Sequence, residues 1–366
     1  MKVMSIVGTR PEIIKMSQII KKLDEFTEHT FIHTGQNYDY ELNEIFFKDL
    51  DLRKPDHVLE TKGETLAESV GNIMYEVEKM LKLYEPDAVV ILGDTNSALS
   101  GIIAKRMKIP LFHLEAGNRC FDDNVPEEIN RRILDHISDV NMVYTENQRR
   151  NLLAEGLPKD RTFVMGSPMQ EVFNSTMIEI DSSDILTRLG LDDLYTGGDY
   201  FLVSIHRDEN VEIRKNFDEL LKTLEAIYSK YELPIIVSTH PRLQSKLQDR
   251  QIPGVRFMKP FGFLDYNKLQ LNAKCVISDS GTISEESSLL GFPAITIRNA
   301  MERIEAVDTG SILMTGVNCE SILNCIDIVS EPSETPLDYQ VENCAERVVK
   351  VILGYTPYVN RYVWHK

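Results

Sequence analysis

Five carboxylates and three arginines lie between His113 and Arg132, in the stretch HLEAGNRCFDDNVPEEINRR. The preceding apolar residues are typical of a buried strand that ends in an acid and a glycine, and Pro126 begins a helix in the second half. Glu115 therefore follows an apolar strand, where a carboxylate is hard to solvate, whereas Glu128 is the kind of acid that favours a helix N-terminus. In open α/β proteins the carboxyl ends of strands carry the site, so this stretch is the first candidate for chemistry.

Further acids and cations follow the ends of other apolar runs. The acids of this set are Asp94, Glu115 and Glu127, and the cations are Arg10, Lys15 and His206. Acids of this kind can remove and return a proton, while cations stabilise the negative charge of a leaving group. The combination predicts proton abstraction and donation beside an anionic leaving group.

A second motif, ISDSGTISEE, has the pattern of a nucleotide site. The strand ends at Asp279, a Ser280-Gly281 turn follows, and a helix begins near Thr282 with Glu286 one turn further on. Free backbone amides at such a turn can hold a diphosphate, and an acid in the following helix can accept both ribose hydroxyls. The same residues also spell a helix capping box, so a plain capped helix remains the alternative.

Two histidines lie in similar positions. His206 and His240 each follow an apolar strand and each has an arginine within two residues, which favours a diphosphate site. His113 precedes Glu115 by two residues and so points to the same face of its strand, where we expect it to be part of the core.

The elements that must position these residues alternate regularly. Apolar runs of strand length are separated by helical patterns, which predicts parallel, doubly wound sheets. The pattern restarts after VMGSPMQEV, so we expect two Rossmann-like domains with parallel sheets facing a cleft. The predicted ranges are 1–168 for the first domain and 169–345 for the second, with a helix at about 346–366 packing back on the first.

Composition excludes several classes of function. The 366 residues carry 40 basic and 57 acidic side chains, a net charge of −17, which argues against nucleic acid and anionic membranes as partners. There is neither an apolar run of about 20 residues, as a membrane helix needs, nor a close cysteine pair, so a reducing cytoplasm is the expected location. HExxH, GxGxxG and nucleophile-elbow motifs are missing, so a metal, NAD and a serine nucleophile have no support.

Eight ordered motifs then carry a family resemblance. From Lys2 to its C-terminal region the sequence resembles the non-hydrolysing UDP-N-acetylglucosamine 2-epimerases. The motifs are GTRPEIIK, GDTNS, HLEAGNR, VPEEINRR, SIHRDEN, STHPR, SDSGTISEES and MERIEAVDTG. Four other segments resemble the capsule and O-antigen enzymes that make UDP-N-acetyl-L-fucosamine by inverting C2 of UDP-2-acetamido-2,6-dideoxy-L-talose. These segments are GQNYDYELNEIFF, GNRCFDDNVPEEINRRILDHISDVN, KPFGFLDYN and VNRYVWHK.

The resemblance implies a glycosyltransferase-B fold, a homodimer, no cofactor and a UDP-2-acetamido sugar as substrate. In the implied mechanism a base removes the proton at C2 while UDP leaves C1, and UDP then adds back to the 2-acetamidoglycal. By motif the catalytic residues are Asp94, Glu115, Glu127, His206 and Lys15. The implied contacts with UDP and sugar are Arg10, Arg119, His240, Phe261, Ser280, Gly281, Thr282, Glu286 and Arg303, with Phe261 or Phe263 against the uracil.

The sequence also departs from the family pattern. Thr282 stands where a second glycine is common, and Ile304 replaces a proline. The region Gly35–Tyr40 lacks the Gln-His motif linked to activation by substrate, so we expect hyperbolic kinetics. Two alternatives remain open at this point: conversion of UDP-N-acetylglucosamine to UDP-N-acetylmannosamine, and a UDP-sugar-dependent glycosyltransferase.

Overall fold

Apolar strands alternate with amphipathic helices along the chain and build two separate parallel sheets. The computed structural model describes residues 1–36, 40–192, 200–239, 246–247, 251–329 and 334–366. One compact unit comprises Met1–Ser175 with Leu337–Lys366, and the other comprises Thr176–Pro336. The predicted fold class, two α/β units with parallel sheets, is therefore confirmed.

The first unit is built on a seven-stranded sheet. Its strands are β1 (Lys2–Val7), β2 (Glu28–His33), β3 (His57–Val58), β4 (Ala88–Leu92), β5 (Leu111–Leu114), β6 (Val140–Val143) and β7 (Thr162–Val164). They all run parallel in the order β3-β2-β1-β4-β5-β6-β7. The chain leaves β1 toward one edge and returns to β4 on the other side of β1. The loops after β1 and β4 therefore open at a switch point, where doubly wound sheets carry their sites.

Helices connect these strands. They are α1 (Arg10–Phe26), α2 (Tyr40–Asp49), α3 (Leu66–Tyr84), α4 (Gly101–Arg106), α5 (Pro126–Ile137) and α6 (Glu146–Ala154). Helix α7 (Met169–Ser182) follows β7 and continues from the first unit into the second. The central strands β4 and β5 are buried along their whole length, as expected when helices cover both faces of a parallel sheet. Short 3-10 turns at Asn96–Ser100 and Lys159–Arg161 complete the connections.

The second unit repeats this plan with six strands. They are β8 (Phe201–Ile205), β9 (Ile235–Thr239), β10 (Val255–Met258), β11 (Cys275–Ser278), β12 (Ala294–Thr296) and β13 (Leu313–Met314). All neighbours are parallel in the order β10-β9-β8-β11-β12-β13. The direction of winding reverses between β8 and β11, so the residues that follow these two strands are neighbours.

The helices of this unit are α8 (Ile185–Arg188), α9 (Asp208–Val211), α10 (Arg214–Tyr231), α11 (Phe263–Asn272), α12 (Ile283–Leu290), α13 (Glu305–Asp308) and α14 (Cys319–Ile328). Apolar residues of α10 and α14 form one core cluster with the strands, and residues of α11 and α12 belong to another. The sheet of this unit is thus packed against two apolar layers.

The C-terminal helix α15 (Cys344–Tyr362) belongs to the first unit and packs against α1. The carboxylate of Glu171 accepts a hydrogen bond from the backbone N–H of Ala345 at 2.8 Å, which satisfies a donor at the start of α15. Tyr358 donates its hydroxyl to Asp160 at 2.8 Å. Across the residues that the structure describes, no helix combines the length and apolar character needed to span a membrane.

Candidate active site

Glu115 follows β5 in a conformation that is unusual for a residue with a side chain. Its φ is +67°, in the left-handed region, and its carboxylate is buried. The ammonium of Lys15 donates to Oε2 at 2.6 Å, and the hydroxyl of Tyr144 donates to the same oxygen at 3.1 Å. The side-chain amide of Asn118 donates to Oε1 at 3.3 Å. A cation and two neutral donors therefore converge on one carboxylate and favour its ionised form.

Asp94 follows β4, the strand beside β5, and is held by α5. The Nε and Nη2 atoms of Arg131 lie 2.9 and 2.8 Å from its Oδ2 atom. Asn130 donates its side-chain amide to the backbone carbonyl of Asp94 at 3.0 Å. The turn after β4 is thus fixed by consecutive residues of one helix.

Glu128 lies in the first turn of α5, as the sequence predicts, but it also holds the preceding loop. Its side chain is completely buried and accepts hydrogen bonds from the backbone N–H groups of Cys120 at 3.1 Å and Phe121 at 3.3 Å. Arg131 and Arg132 each donate to it at 2.9 Å. Burial opposes ionisation, but the Cys120 amide and Arg131 outweigh it and hold the pKa of Glu128 below its usual range. Glu128 therefore closes the loop that joins β5 to α5.

Glu127, its neighbour, has a different environment. Its side chain is half-buried at the first turn of α5, and it makes no hydrogen bond or ion pair with any residue that the structure describes. Among the three predicted carboxylates, Glu127 alone therefore lacks a cation among the described residues that would hold it in the ionised form.

The turn between β1 and α1 is organised by Glu12, which the sequence analysis did not select. Its carboxylate accepts hydrogen bonds from the backbone N–H groups of Gly8 and Thr9. Burial, with a smaller contribution from the nearby charge of Asp94, raises the pKa of Glu12 to about 7. The spacing of Thr9 and Glu12 is that of a capping box, which could have identified this residue. Arg10 follows on this turn, with its guanidinium 5.8 Å from the centre of the Phe46 ring.

A buried polar network lies under the strand ends. The two ring nitrogens of His113 are 2.8 Å from the Asp135 carboxylate and 2.9 Å from the Gly93 carbonyl, so His113 is a core residue as predicted. Arg119 donates to Asp135 at 2.7 Å and to Glu155 at 2.7 and 2.6 Å. Only 2% of Arg119 is exposed. The expectation that Arg119 contacts the substrate gains no support, because its guanidinium is bound inside the unit.

In the second unit, His206 is paired with an acid that the sequence analysis did not include in the site. Asp279, directly after β11, lies 2.8 Å from the Nδ1 atom of His206 and accepts backbone N–H bonds from His206 and Arg207, both at 3.0 Å. Burial opposes ionisation, yet the charge and hydrogen bonds of His206, with Asn210 and the Arg207 amide, lower the pKa of Asp279 to about 2. The pairing leaves the Nε2 atom of His206 as the nitrogen turned away from this anchor.

The turn after β11 carries the residues predicted to bind UDP. The hydroxyl of Thr282 lies 2.9 Å from that of Ser280 and donates to Glu286 at 2.6 Å. Gln270 donates to the other oxygen of Glu286 at 2.7 Å. A ribose diol at Glu286 would therefore have to share oxygens that already accept bonds.

Buried arginines approach this turn closely. Arg303 donates to the carbonyl of Gly281 at 2.8 Å, and its Nε atom lies 2.9 Å from Glu285. A Cβ atom on Gly281 would lie 3.4 Å from Arg303 and 3.5 Å from Arg298, which is ordinary van der Waals contact, so the two arginines leave room for a small side chain at this position. Arg303 therefore stabilises the turn by binding its backbone carbonyl.

Exposure separates the two candidate aromatic residues. Phe263 begins α11 and is buried in the core, whereas Phe261 is half-buried. Phe261 therefore remains the candidate for stacking on a base. His240, the remaining predicted contact, lies outside the described residues. Within the described ranges, no group of three His, Cys, Asp or Glu side chains is placed to hold a metal ion.

The family profile described as UDP-N-acetylglucosamine 2-epimerase matches residues 21–353, which is most of the chain. The chain belongs to this family. Its membership confirms the family part of the resemblance and makes the chain an enzyme of the UDP-sugar 2-epimerase class.

Individual relatives of this epimerase agree with the assignment. The UDP-N-acetylglucosamine 2-epimerase of Rickettsia bellii has a structure with a TM-score of 0.92, 46% identity and full coverage of both chains. The UDP-N-acetylglucosamine 2-epimerase of Methanocaldococcus jannaschii is 36% identical over 338 residues, 90% of this chain and 92% of that protein. A crystal structure of the M. jannaschii enzyme with UDP-GlcNAc and UDP has a TM-score of 0.88 and covers 97% of this chain and 100% of that one.

A more distant relative acts on another sugar. The UDP-2,3-diacetamido-2,3-dideoxy-D-glucuronate 2-epimerase of Pseudomonas aeruginosa is 29% identical and covers 94% of both chains. Relatives of this epimerase thus carry names with different UDP-2-acetamido sugars, and family membership alone leaves the sugar open.

Proposed function

We propose that this epimerase converts UDP-2-acetamido-2,6-dideoxy-L-talose to UDP-N-acetyl-L-fucosamine for capsule or O-antigen synthesis. The observation that carries the reaction type is the pair of anchored carboxylates on adjacent strands, Glu115 on Lys15 and Asp94 on Arg131. The choice of sugar is supported by the four segments that resemble the L-fucosamine enzymes, above all the loop Cys120–Asn124.

The proposed reaction is an elimination followed by an addition. A carboxylate removes the proton from C2, the C–H electron pair forms a C1–C2 double bond, and the C1–O bond breaks as UDP leaves. UDP then attacks C1 of the 2-acetamidoglycal from its phosphate oxygen, and a second acid delivers a proton to the opposite face of C2. Both steps use general acid–base catalysis, and no redox cofactor is needed for the balance.

We assign the first proton to Glu115 because its three donors favour a carboxylate that is ionised before substrate binds. Glu127, which has no such donors among the described residues, is the candidate for delivery to the other face. Asp94, which Arg131 holds in place, is the third acid of the proposed site, and Lys15 holds Glu115 through an ion pair.

We assign UDP recognition mainly to the second unit. The half-exposed His206, held by Asp279, offers its Nε2 atom to a phosphate. The remaining proposed contacts are Ser280, Gly281 and Thr282 for the diphosphate, Glu286 for the ribose, Phe261 for the uracil, and Arg10 and His240 for phosphate oxygens. Arg303 is proposed to act on UDP only through the turn at Gly281.

We also propose a homodimer. Ile129 and Ile133, one turn apart on α5, are exposed, and Phe121 in the preceding loop is 74% exposed. Exposed apolar side chains on a helix and on the loop before it favour an interface over solvent. Sedimentation velocity should show one species of twice the chain mass, and a concentration-independent monomer would contradict the proposal.

A second candidate is the conversion of UDP-N-acetylglucosamine to UDP-N-acetylmannosamine. It is favoured by the names of the R. bellii and M. jannaschii relatives. One experiment separates the candidates: the L-talo, L-fuco and D-gluco UDP-2-acetamido sugars are each incubated with enzyme in heavy water without an acceptor. Deuterium at C2 and the ratio of epimers are followed by NMR.

We expect exchange and inversion on the L-talo and L-fuco sugars, at a higher kcat/KM than on the D-gluco sugar. Preference for the D-gluco sugar would establish the second candidate. Failure to exchange deuterium into any of the three would contradict both epimerase assignments and favour a glycosyltransferase.

A further inference from the structure

Tyr144 contacts the candidate base but belongs to none of the motifs discussed above. It directly follows β6, the neighbour of β5 in the sheet, and its side chain is completely buried. Its hydroxyl donates to the Oε2 atom of Glu115 at 3.1 Å, and its ring centre lies 5.8 Å from the ammonium of Lys15. Oε2 is therefore shared by two buried donors that come from different elements.

The other oxygen of Glu115 has a different neighbour, whose orientation the chain itself determines. The backbone N–H of Thr145 can only donate, and it donates to Oε1 of Gln148 at 2.6 Å. The amide nitrogen of Gln148 must then face Oδ1 of Asn118, at 2.7 Å, so Asn118 presents its own nitrogen to Oε1 of Glu115 at 3.3 Å. This last contact is longer than the contacts of Lys15 and Tyr144 with Glu115.

We propose that Tyr144 is a positioning residue that, together with Lys15, holds Oε2 of Glu115 and leaves Oε1 as the atom that exchanges a proton with the sugar. The inference rests on the proposed role of Glu115 as a base. In the proton transfer, the C2–H bond breaks, a bond forms between Oε1 and the proton, and the C–H electron pair moves toward C1 as UDP leaves. The bond from Asn118 to Oε1 has to give way in this step.

The backbone at Glu115 explains why such an anchor is needed. A side-chain-bearing residue at φ +67° is in a sparsely populated region and keeps that conformation only when its surroundings hold it there. Lys15 from α1 and Tyr144 from the end of β6 are a charged and a titratable group that face Glu115. Without the tyrosine hydroxyl, Oε2 would lose the donor that holds it from the end of β6.

The test is Tyr144→Phe, with Tyr200→Phe as the matched control. Tyr200 is also buried and donates its hydroxyl to the carbonyl of Leu269 at 2.6 Å in the other unit. Removing one hydrogen bond to a charged group is expected to lower kcat about 10- to 100-fold in Tyr144→Phe. We expect KM to stay within about twofold and the acid limb of the kcat–pH profile to move to higher pH, because the ionised form of Glu115 loses a donor.

The control should leave kcat, KM and the pH profile as in the unchanged enzyme. An unchanged kcat and pH profile in Tyr144→Phe would overturn the inference, as would a rise in KM alone. If that variant does not fold, difluorotyrosine placed at 144 keeps the shape and donates more strongly, so the acid limb should move to lower pH; an unmoved limb would overturn the inference. All comparisons use a sugar that the unchanged enzyme epimerises, so failure of the proposed function would show separately, as absence of exchange before any substitution.

Discussion

Arg131 binds a single oxygen of Asp94 through two of its nitrogens, Nε at 2.9 Å and Nη2 at 2.8 Å. Its third nitrogen reaches Glu128 at 2.9 Å. One buried guanidinium therefore joins the turn after β4 to the loop that precedes α5, because Glu128 also holds the backbone amides of that loop. The side chain of Arg131 thus positions Asp94 and, through Glu128, also fixes the loop Cys120–Asn124, which we propose to select the sugar.

Replacing this guanidinium by an ammonium should slow the reaction. Lysine has no planar fork and cannot bond Asp94 and Glu128 together, so Arg131→Lys should lower kcat about 10- to 100-fold, as expected for losing a charge-assisted hydrogen bond. Arg132→Lys is the control, since Arg132 also donates to Glu128 but is 40% exposed. Steady-state kinetics with equal losses in both variants would contradict a specific role of Arg131.

Stability should depend on pH through Glu12. Its pKa is about 7 in the folded chain and 4.5 for an unperturbed glutamate, so the folded state binds more protons between these values. The contribution is fully present below pH 4.5 and is lost as the pH rises through 7. Glu12→Gln cannot ionise, so its stability relative to the unchanged chain should rise by on the order of 3 kcal/mol between pH 4.5 and 8.

Urea unfolding at several pH values measures this difference. Glu68→Gln is the matched control, because Glu68 occupies the same first-turn position on α3 but is exposed. A relative stability of Glu12→Gln that does not vary with pH would show that Glu12 ionises normally in the folded chain.

Asp279 should have the opposite pH dependence. Its pKa is lowered from 3.8 to about 2, so its contribution to stability is present above pH 4 and is lost as the pH falls through 2. Asp279→Asn should remove this acid sensitivity and also lower kcat, because His206 would lose the carboxylate that holds its Nδ1 atom. Acid titration of the unfolding midpoint, with exposed Asp123→Asn as control, tests the first part. A kcat equal to that of the unchanged enzyme would contradict the second.

Isotope exchange should separate the roles of Glu115 and Glu127. With the L-talo sugar in heavy water, Glu127→Gln should still remove the C2 proton and return deuterium to the same face, giving exchange without inversion. Glu115→Gln should abolish both in this direction. NMR of recovered substrate reports the outcome, and loss of exchange in both variants would contradict the assignment of one acid to each face.

Sugar preference should follow the loop after Cys120. Glu128 holds this loop through backbone amides, which any residue except proline supplies, so the side chains of 121–124 can be exchanged without removing the anchor. Introducing these four residues from a glucosamine-type enzyme should raise kcat/KM for the D-gluco sugar relative to the L-talo sugar. Unchanged preference would place the determinant of sugar selectivity elsewhere.

The dependence of velocity on substrate concentration should be hyperbolic in both the unchanged enzyme and the loop variant. A sigmoid curve would contradict the expectation from Gly35–Tyr40.

The amino-acid sequence alone determined the α/β class and its two sheets, because apolar runs and turn residues are local patterns. It also placed Asp94 and Glu115 at strand ends, since parallel strands carry polar residues where they emerge from the sheet. The ordered motifs predicted the family, which the profile match confirms.

Only the tertiary structure determined which side chains bind one another. Lys15 and Glu115 are 100 residues apart in sequence, and no local pattern pairs them. Two acids at the same helix N-terminus also have different environments. Glu128 is buried and bonded to two arginines, whereas its neighbour Glu127 is half-buried. Burial and partners set protonation and orientation, and both depend on contacts between distant segments. Tyr144 is part of the site through such a contact, which the sequence does not indicate.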